Sequence, residues 1–68
     1  MKQVSGREFA VILERKGWEL KRISGSHHVY IKTGRIERIS LPIHGNQPLK
    51  IGLLKHLINI AEIQESEL

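Results

Sequence analysis

Proton-transfer chemistry in this chain falls to histidine: there are four, His27, His28, His44 and His56, and no cysteine or aspartate. Imidazole has an ordinary pKa of about 6.5 and so takes or gives a proton near neutral pH. Two imidazoles adjoin a Gly-Ser pair in Gly25-Ser26-His27-His28. One reaction that needs this chemistry is cleavage of RNA through its own 2′-hydroxyl. A base removes the 2′ proton, and fixed cations and backbone N–H groups offset the charge that builds on the phosphate oxygens. Lys21, Arg22, Lys32, Arg35 and Arg38 are the nearby cations. Gly25 would let a backbone approach a phosphate, and the Ser26 hydroxyl could donate to a phosphate oxygen or fix an imidazole tautomer.

Each of these residues also has a plainer reading. Gly25-Ser26 is what an ordinary hairpin connection looks like. His27 shares strand parity with Val29 and Ile31, which would make it a partly buried, hydrogen-bonded histidine. His28 and Tyr30 would then face solvent. His44, between Pro42 and Gly45-Asn46, is either a turn cap or a second proton-transfer group, and His56 falls on the surface of a helix. Trp18 and Tyr30 could stack on bases, although Trp18 is better placed as core. No metal is expected. His27 and His28 are adjacent and point to opposite faces, Glu19 and Glu37 are the only acids near the strands, and zinc needs three or four convergent ligands. There is no nucleotide-binding glycine loop, and without aspartate no credible serine triad, so no cofactor is expected either.

The elements that must position these groups fit one domain over 1–68, small enough to bury only about 60% of its unfolded surface. Without cysteine, neither a disulfide nor a thiolate zinc site supplements the core. No apolar run reaches the length of a membrane span, and Met1-Lys2-Gln3-Val4 leads straight into a helix signal. These features predict a cytoplasmic protein with no membrane association. Eleven Lys and Arg against seven Glu give a net charge of +4. Three of the acids, Glu62, Glu65 and Glu67, lie in the tail, which leaves a body of +7. That sign favours nucleic acid or an acidic protein partner.

Ser5-Gly6-Arg7-Glu8 matches a capping box, and Val4 with Phe9 matches a hydrophobic staple. A helix is predicted from Gly6, with Phe9, Ile12 and Leu13 on its apolar stripe and Gly17 as a left-handed stop. Short β-rich runs follow at Trp18 to Ile23, His28 to Lys32 and Ile36 to Leu41, joined by Ser24-Gly25-Ser26 and Thr33-Gly34-Arg35. Alternation puts Val29, Ile31, Ile39 and Leu41 on a buried face and gathers the basic residues on the other. After the turn-rich Pro42 to Pro48, the residues Ile51, Leu54, Leu57, Ile58 and Ala61 repeat at helical spacing. The acidic tail is a last helical turn or a frayed end. The predicted fold is α+β, a two-layer α-β-β-β-α arrangement with a three-stranded antiparallel sheet and both helices on one face. Its topology resembles a double-stranded-RNA-binding domain.

Taken together, Gly25-Ser26-His27 before an aliphatic and aromatic strand, then Leu41-Pro42-Ile43-His44-Gly45, then Lys50-Ile51-Gly52-Leu53-Leu54, resemble the HicA toxin family. The likeness runs over essentially the whole chain and includes the capped opening helix and the Lys16-Gly17-Trp18 step. It implies a metal-independent mRNA interferase, an endoribonuclease that is the toxin half of a toxin–antitoxin pair with a HicB-type antitoxin as partner and mRNA as substrate. His27 takes the place of the family's catalytic histidine. Gly25 and Ser26 shape its setting, and His44 falls on the Pro-x-His element as a candidate contributor. One departure is visible: the family's Gly-Thr-Leu at the second helix reads Gly52-Leu53-Leu54 here. The alternative is an RNA-binding module without chemistry, or an inactivated toxin that only binds its antitoxin.

Overall fold

Ser5 starts the fold as its sequence predicts. In the computed structural model of the protein, which describes residues 2–68, the Ser5 hydroxyl accepts from the Glu8 backbone N–H at 3.1 Å. The Glu8 carboxylate accepts in return from the Ser5 N–H at 2.9 Å. Met1, part of the lead-in to this helix, lies outside the described residues. Helix α1 (Gly6–Arg15) then turns Phe9, Ala10 and Leu13 into the core. It ends in a complete Schellman motif: Trp18 N–H donates to the Leu13 carbonyl, Gly17 N–H donates to that of Glu14, and Gly17 takes φ +93°. Leu13 and Trp18, the residues that motif brings together, are both fully buried.

Three antiparallel strands follow, β1 (Glu19–Ser24), β2 (His27–Ile31) and β3 (Ile39–Pro42), in the order β1-β2-β3. Helix α2 (Ile51–Ala61) and a 3₁₀ turn (Glu65–Glu67) complete the chain, so the acidic tail is a helical turn. Both helices lie against β3. Their apolar residues share one buried cluster with Tyr30, Ile39 and Leu41, which places both helices on one face of the sheet. The order and layering are those predicted, and they are compatible with a double-stranded-RNA-binding-like arrangement. Among the described residues no helix is long and apolar enough to cross a membrane.

Two expectations change. The third strand begins at Ile39, not Ile36: residues 32–38 form a loop, and Ile36 at its surface is 96% exposed. The buried face of β2 is also the opposite one. Tyr30 pairs with Ile39 and His28 with Leu41, and paired residues share a face, so the Tyr30 side of β2 meets the helices. Tyr30 is 2% exposed and belongs to the core cluster, whereas Val29, although covered, does not. Both parities of His28 to Lys32 carry large apolar side chains, so alternation does not choose between them. The neighbouring strand and the helices decide, because Tyr30 lies opposite Ile39 and joins it in the cluster that both helices cover. Burial, and next the nearby Glu14 carboxylate, push the Tyr30 hydroxyl above its ordinary pKa. Neither Tyr30 nor Trp18 is therefore exposed for stacking on a base.

Removing the cap, Ser5→Ala, is expected to cost about 1 kcal/mol in denaturant unfolding. The Glu8 carboxyl is held below its ordinary value of 4.5, first by the Ser5 backbone N–H and then by its hydroxyl. Glu37 and Glu67 are lowered as well, by Arg35 and Lys16. Groups with lowered folded pKa values add stability that is present above the unfolded value and lost as pH falls through the folded one. Melting temperature should therefore drop between about pH 5 and about pH 3, less steeply in Glu8→Gln. An unchanged slope in that variant would remove Glu8 from the acid response.

Candidate active site

A two-residue hairpin joins β1 to β2: Ser24 pairs with His27, leaving Gly25-Ser26 as the loop. Gly25 has φ +60°, while Ser26 is not among the positive-φ residues, the pattern of a type II′ turn with glycine at its first central position. The hairpin tip is tied across the sheet. Beyond the last β2–β3 pair, His27 with Pro42, the Ser26 carbonyl accepts from the Ile43 N–H at 2.8 Å. His44 therefore leaves the sheet one residue past a bond to the turn that carries His27.

His27 is exposed and lies on the sheet face away from the helices, between Ser24 on one side and Pro42 on the other. The partly buried histidine of the plainer reading is not what the fold produces. His28 is half-buried on the helix side, between Ile23 and Leu41. The two adjacent imidazoles are thus separated by the thickness of the sheet. Among the described residues, no three His, Cys, Asp or Glu side chains come together as a metal-binding group.

Close backbone contact fixes this end of the sheet. A Cβ built on Gly6 would lie 2.5 Å from the Pro42 carbonyl oxygen and 3.1 Å from the Ile43 Cα, so only glycine lets α1 seat its first turn there. Just before it, the Val4 carbonyl accepts from the Leu49 N–H at 2.7 Å, and Ser5 bridges to Pro48. The loop carrying His44 is held between β3 and the start of α1.

The cations divide into groups. Arg22 pairs with Val29 and shares the open face with His27. Lys21 sits at the β-bulge between Leu20 and Arg22, where the register shifts. Lys21, Lys32 and Arg38 line a cleft of about 360 Å³ with Ile31 and the 32–38 loop. That cleft is at the far end of β2, four residues or about 13 Å from His27. Arg35 touches the same cleft, but its guanidinium is engaged by protein. It donates to Glu37, to Glu62 and, at 2.8 Å, to the Ile60 carbonyl, and its carbon lies 5.7 Å from the centre of the Trp18 ring. The hydrogen bond to Glu37, ahead of the other contacts, raises its pKa further. Arg35 caps the C-terminal end of α2, whose Glu62 adopts the left-handed conformation, instead of reaching outward like its neighbours.

The sequence profile of the family described as the HicA toxin of bacterial toxin-antitoxin matches residues 6–63, nearly the whole of this fold. The chain belongs to the HicA toxin family. No curated protein matches it. Membership makes this HicA chain a toxin of a toxin–antitoxin module, of the nuclease kind, with an antitoxin as its partner.

Of the residues singled out from the sequence of this HicA chain, His27, Ser26, Gly25 and His44 are brought to one end of the sheet by the fold. Reading the residues alone does not find Gly6 as the seat of α1. The only local signal is a glycine inside a capping box, where any good helix former would serve. The role of Arg35 has no local signal, since Glu62 is 27 residues away.

Alanine exposes the special position of Gly6. At Gly52, in α2 with open space around it, Gly→Ala should stabilise by about 0.5–1 kcal/mol through helix propensity. The same change at Gly6 should destabilise by about 1–3 kcal/mol, because the added carbon meets backbone. Equal signs for the two variants in denaturant unfolding would disprove the tight seat.

Proposed function

We propose that this toxin is a cytoplasmic endoribonuclease, one domain over 1–68, which cleaves mRNA through attack by the 2′-hydroxyl, without a metal, and is held in check by a HicB-type antitoxin. The observation that carries this reading is the position of His27: exposed, beside the Gly25-Ser26 turn, and on the same open face as Arg22. His27 acts as the proton-transfer group. As a base it takes the 2′ proton, the 2′ oxygen bonds to phosphorus, and the bond to the 5′ oxygen of the next nucleotide breaks. The products are a 2′,3′-cyclic phosphate and a 5′-hydroxyl, the leaving oxygen receiving a proton. His44, on the loop tied to the Ser26 carbonyl, is the candidate second proton-transfer group. Gly25 gives a phosphate room to approach the turn, and the Ser26 hydroxyl is available to donate to it.

Arg22, Lys21, Lys32 and Arg38 form the proposed backbone track, running from the face of His27 to the cleft at the other end of β2. Arg35 shapes that cleft without contacting phosphate. The track makes binding electrostatic and sequence-independent, so discrimination has to come from the end of the sheet where His27 lies.

His27→Ala should lower cleavage of a defined RNA by about 10²–10⁴-fold, the usual contribution of one general acid–base group. His28→Ala, on the opposite face, is the control and should retain activity. Cleavage by His27→Ala at the wild-type rate, with equal growth arrest on induction, would overturn the assignment; RNA binding without any product in the wild type would favour the binding-module reading. For the track, taking away one cation that neutralises a phosphate should reduce the salt dependence of single-stranded RNA binding by about 0.7 in log–log slope. Arg22→Ala should show that reduction. Arg35→Ala should leave the slope unchanged while lowering the melting temperature.

A further inference from the structure

Beside His27 a second cleft, of about 300 Å³, opens between the end of β3 and the start of α2, lined by Pro42, His44, Gln47, Pro48, Lys50 and Leu53. Pro42 is the direct cross-strand partner of His27, so the near wall is one strand spacing, about 5 Å, from the His27 backbone. The wall is rigid as well as near. Pro48 is bridged to Ser5, Leu49 N–H is bonded to the Val4 carbonyl, and Gly6 presses on Pro42 and Ile43 from behind. The connecting turn is closed by Gln47 N–H donating to the His44 carbonyl at 3.0 Å, with Gly45 at φ +57°. That turn brings Gln47 back to the same cleft as His44.

The lining divides by chemistry. Pro42, Pro48, Leu53 and the neighbouring Leu49 are apolar, while His44, Gln47 and Lys50 are polar. Among the described residues the side chains of His44, Gln47 and Lys50 make no hydrogen bond or ion pair with protein. Lys50 also provides no side-chain cap for α2. The volume is at the lower end of the range for small-ligand sites, the size of a single nucleoside and well below that of a long ligand. Aliphatic proline and leucine carbons can pack on the faces of a base, a carboxamide presents a donor and an acceptor side by side to its edge, and an ammonium suits its phosphate.

We propose that this cleft holds the RNA base next to the cleaved bond and sets the cleavage preference, with Gln47 reading the base edge and Lys50 its phosphate. The inference rests on His27 as the cleaving group, and it adds the part of the site that discriminates. The cleft at the far end of β2 is lined by the cations Lys21, Lys32 and Arg38 and has neither a proline nor a carboxamide among its lining residues.

Two measurements test it. First, RNA ends released by wild type and Gln47→Ala are mapped on one mixed-sequence RNA, and cuts at preferred and disfavoured sites are compared within each sample. Gln47→Ala should reduce that ratio about fivefold or more, the discrimination that one base-edge hydrogen-bonding pair supplies; Asn59→Ala, on the exposed surface of α2, should keep it. An unchanged ratio in Gln47→Ala, or a wild type without base preference beside the cut, overturns the proposal. Second, the cleavage-defective His27→Ala chain is titrated with each of the four nucleoside 3′-monophosphates, followed by backbone amide NMR. Shifts at Gln47, Lys50 and Leu53 that differ among the four bases, and lose that difference in His27→Ala/Gln47→Ala, support the cleft. Shifts confined to the Lys32 to Arg38 loop, or equal for all four bases, overturn it. Because binding is read without cleavage, failure of the cleft and failure of His27 as the cleaving group give different results.

Discussion

The active end of this molecule depends on one close approach, the seating of the first turn of α1 on the backbone of Pro42 and Ile43. Gly6 permits it, since any Cβ there would meet the Pro42 carbonyl oxygen. The Ser5–Glu8 capping box satisfies the helix end that is pressed into place, so burying it leaves fewer amide groups unpaired. From that seat the rest follows: Pro42 stays opposite His27, Ile43 bonds to the Ser26 turn, and the loop through Pro48 is sewn to Val4 and Ser5. In a chain with so small a core, geometry at a site must come from backbone contacts of this kind, because few side chains are available to brace it.

The sheet then separates two kinds of work. On the helix side, Tyr30, Ile39 and Leu41 join both helices in one cluster. The other side is left to His27 and Arg22. β1 is exposed along its whole length, and its bulge at Lys21 carries a cation to the cleft at the far end of β2. The positive charges are not all available to a polyanion. Arg35 is held by Glu37, Glu62 and the Ile60 carbonyl, and Lys16 is paired with Glu67. The acidic tail thus neutralises structural cations near the helix ends, while Arg22, Lys21, Lys32 and Arg38 make no ion pair among the described residues. Part of the positive charge that remains lies on the open face and at its far cleft.

For a HicA toxin this division is economical. On the proposed reading, binding strength comes from a track of cations that is indifferent to sequence, and chemistry from His27, with His44 as candidate second group, at one end of the sheet. Neither requires a deep enclosed site, which 68 residues could not build around a substrate.

Local physics determined much of this protein from the sequence. The capping box, the Gly17 stop, the Gly25-Ser26 hairpin and the second apolar stripe each act within a few residues, so α1, the two-residue turn and α2 could be read directly, and with them the α-β-β-β-α order. The second strand was read one residue late, from His28 to Lys32, where the structure begins it at His27. Three things needed the tertiary structure. Which face of β2 is buried turned on Tyr30 against Val29 and Ile31, a competition that only the partner Ile39 and the helices resolve. The start of β3 at Ile39 leaves residues 32–38 as a loop, in which Arg35 bonds to Glu62 and Ile60, a contact with no trace in the neighbouring residues. The meeting of Gly6 with Pro42, and so the placing of His44 and Gln47 beside His27, joins segments some 36 residues apart. Sequence spacing fixes what lies within a helical turn or a hairpin; contacts that close long loops are chosen by packing, and packing is decided by the whole chain at once.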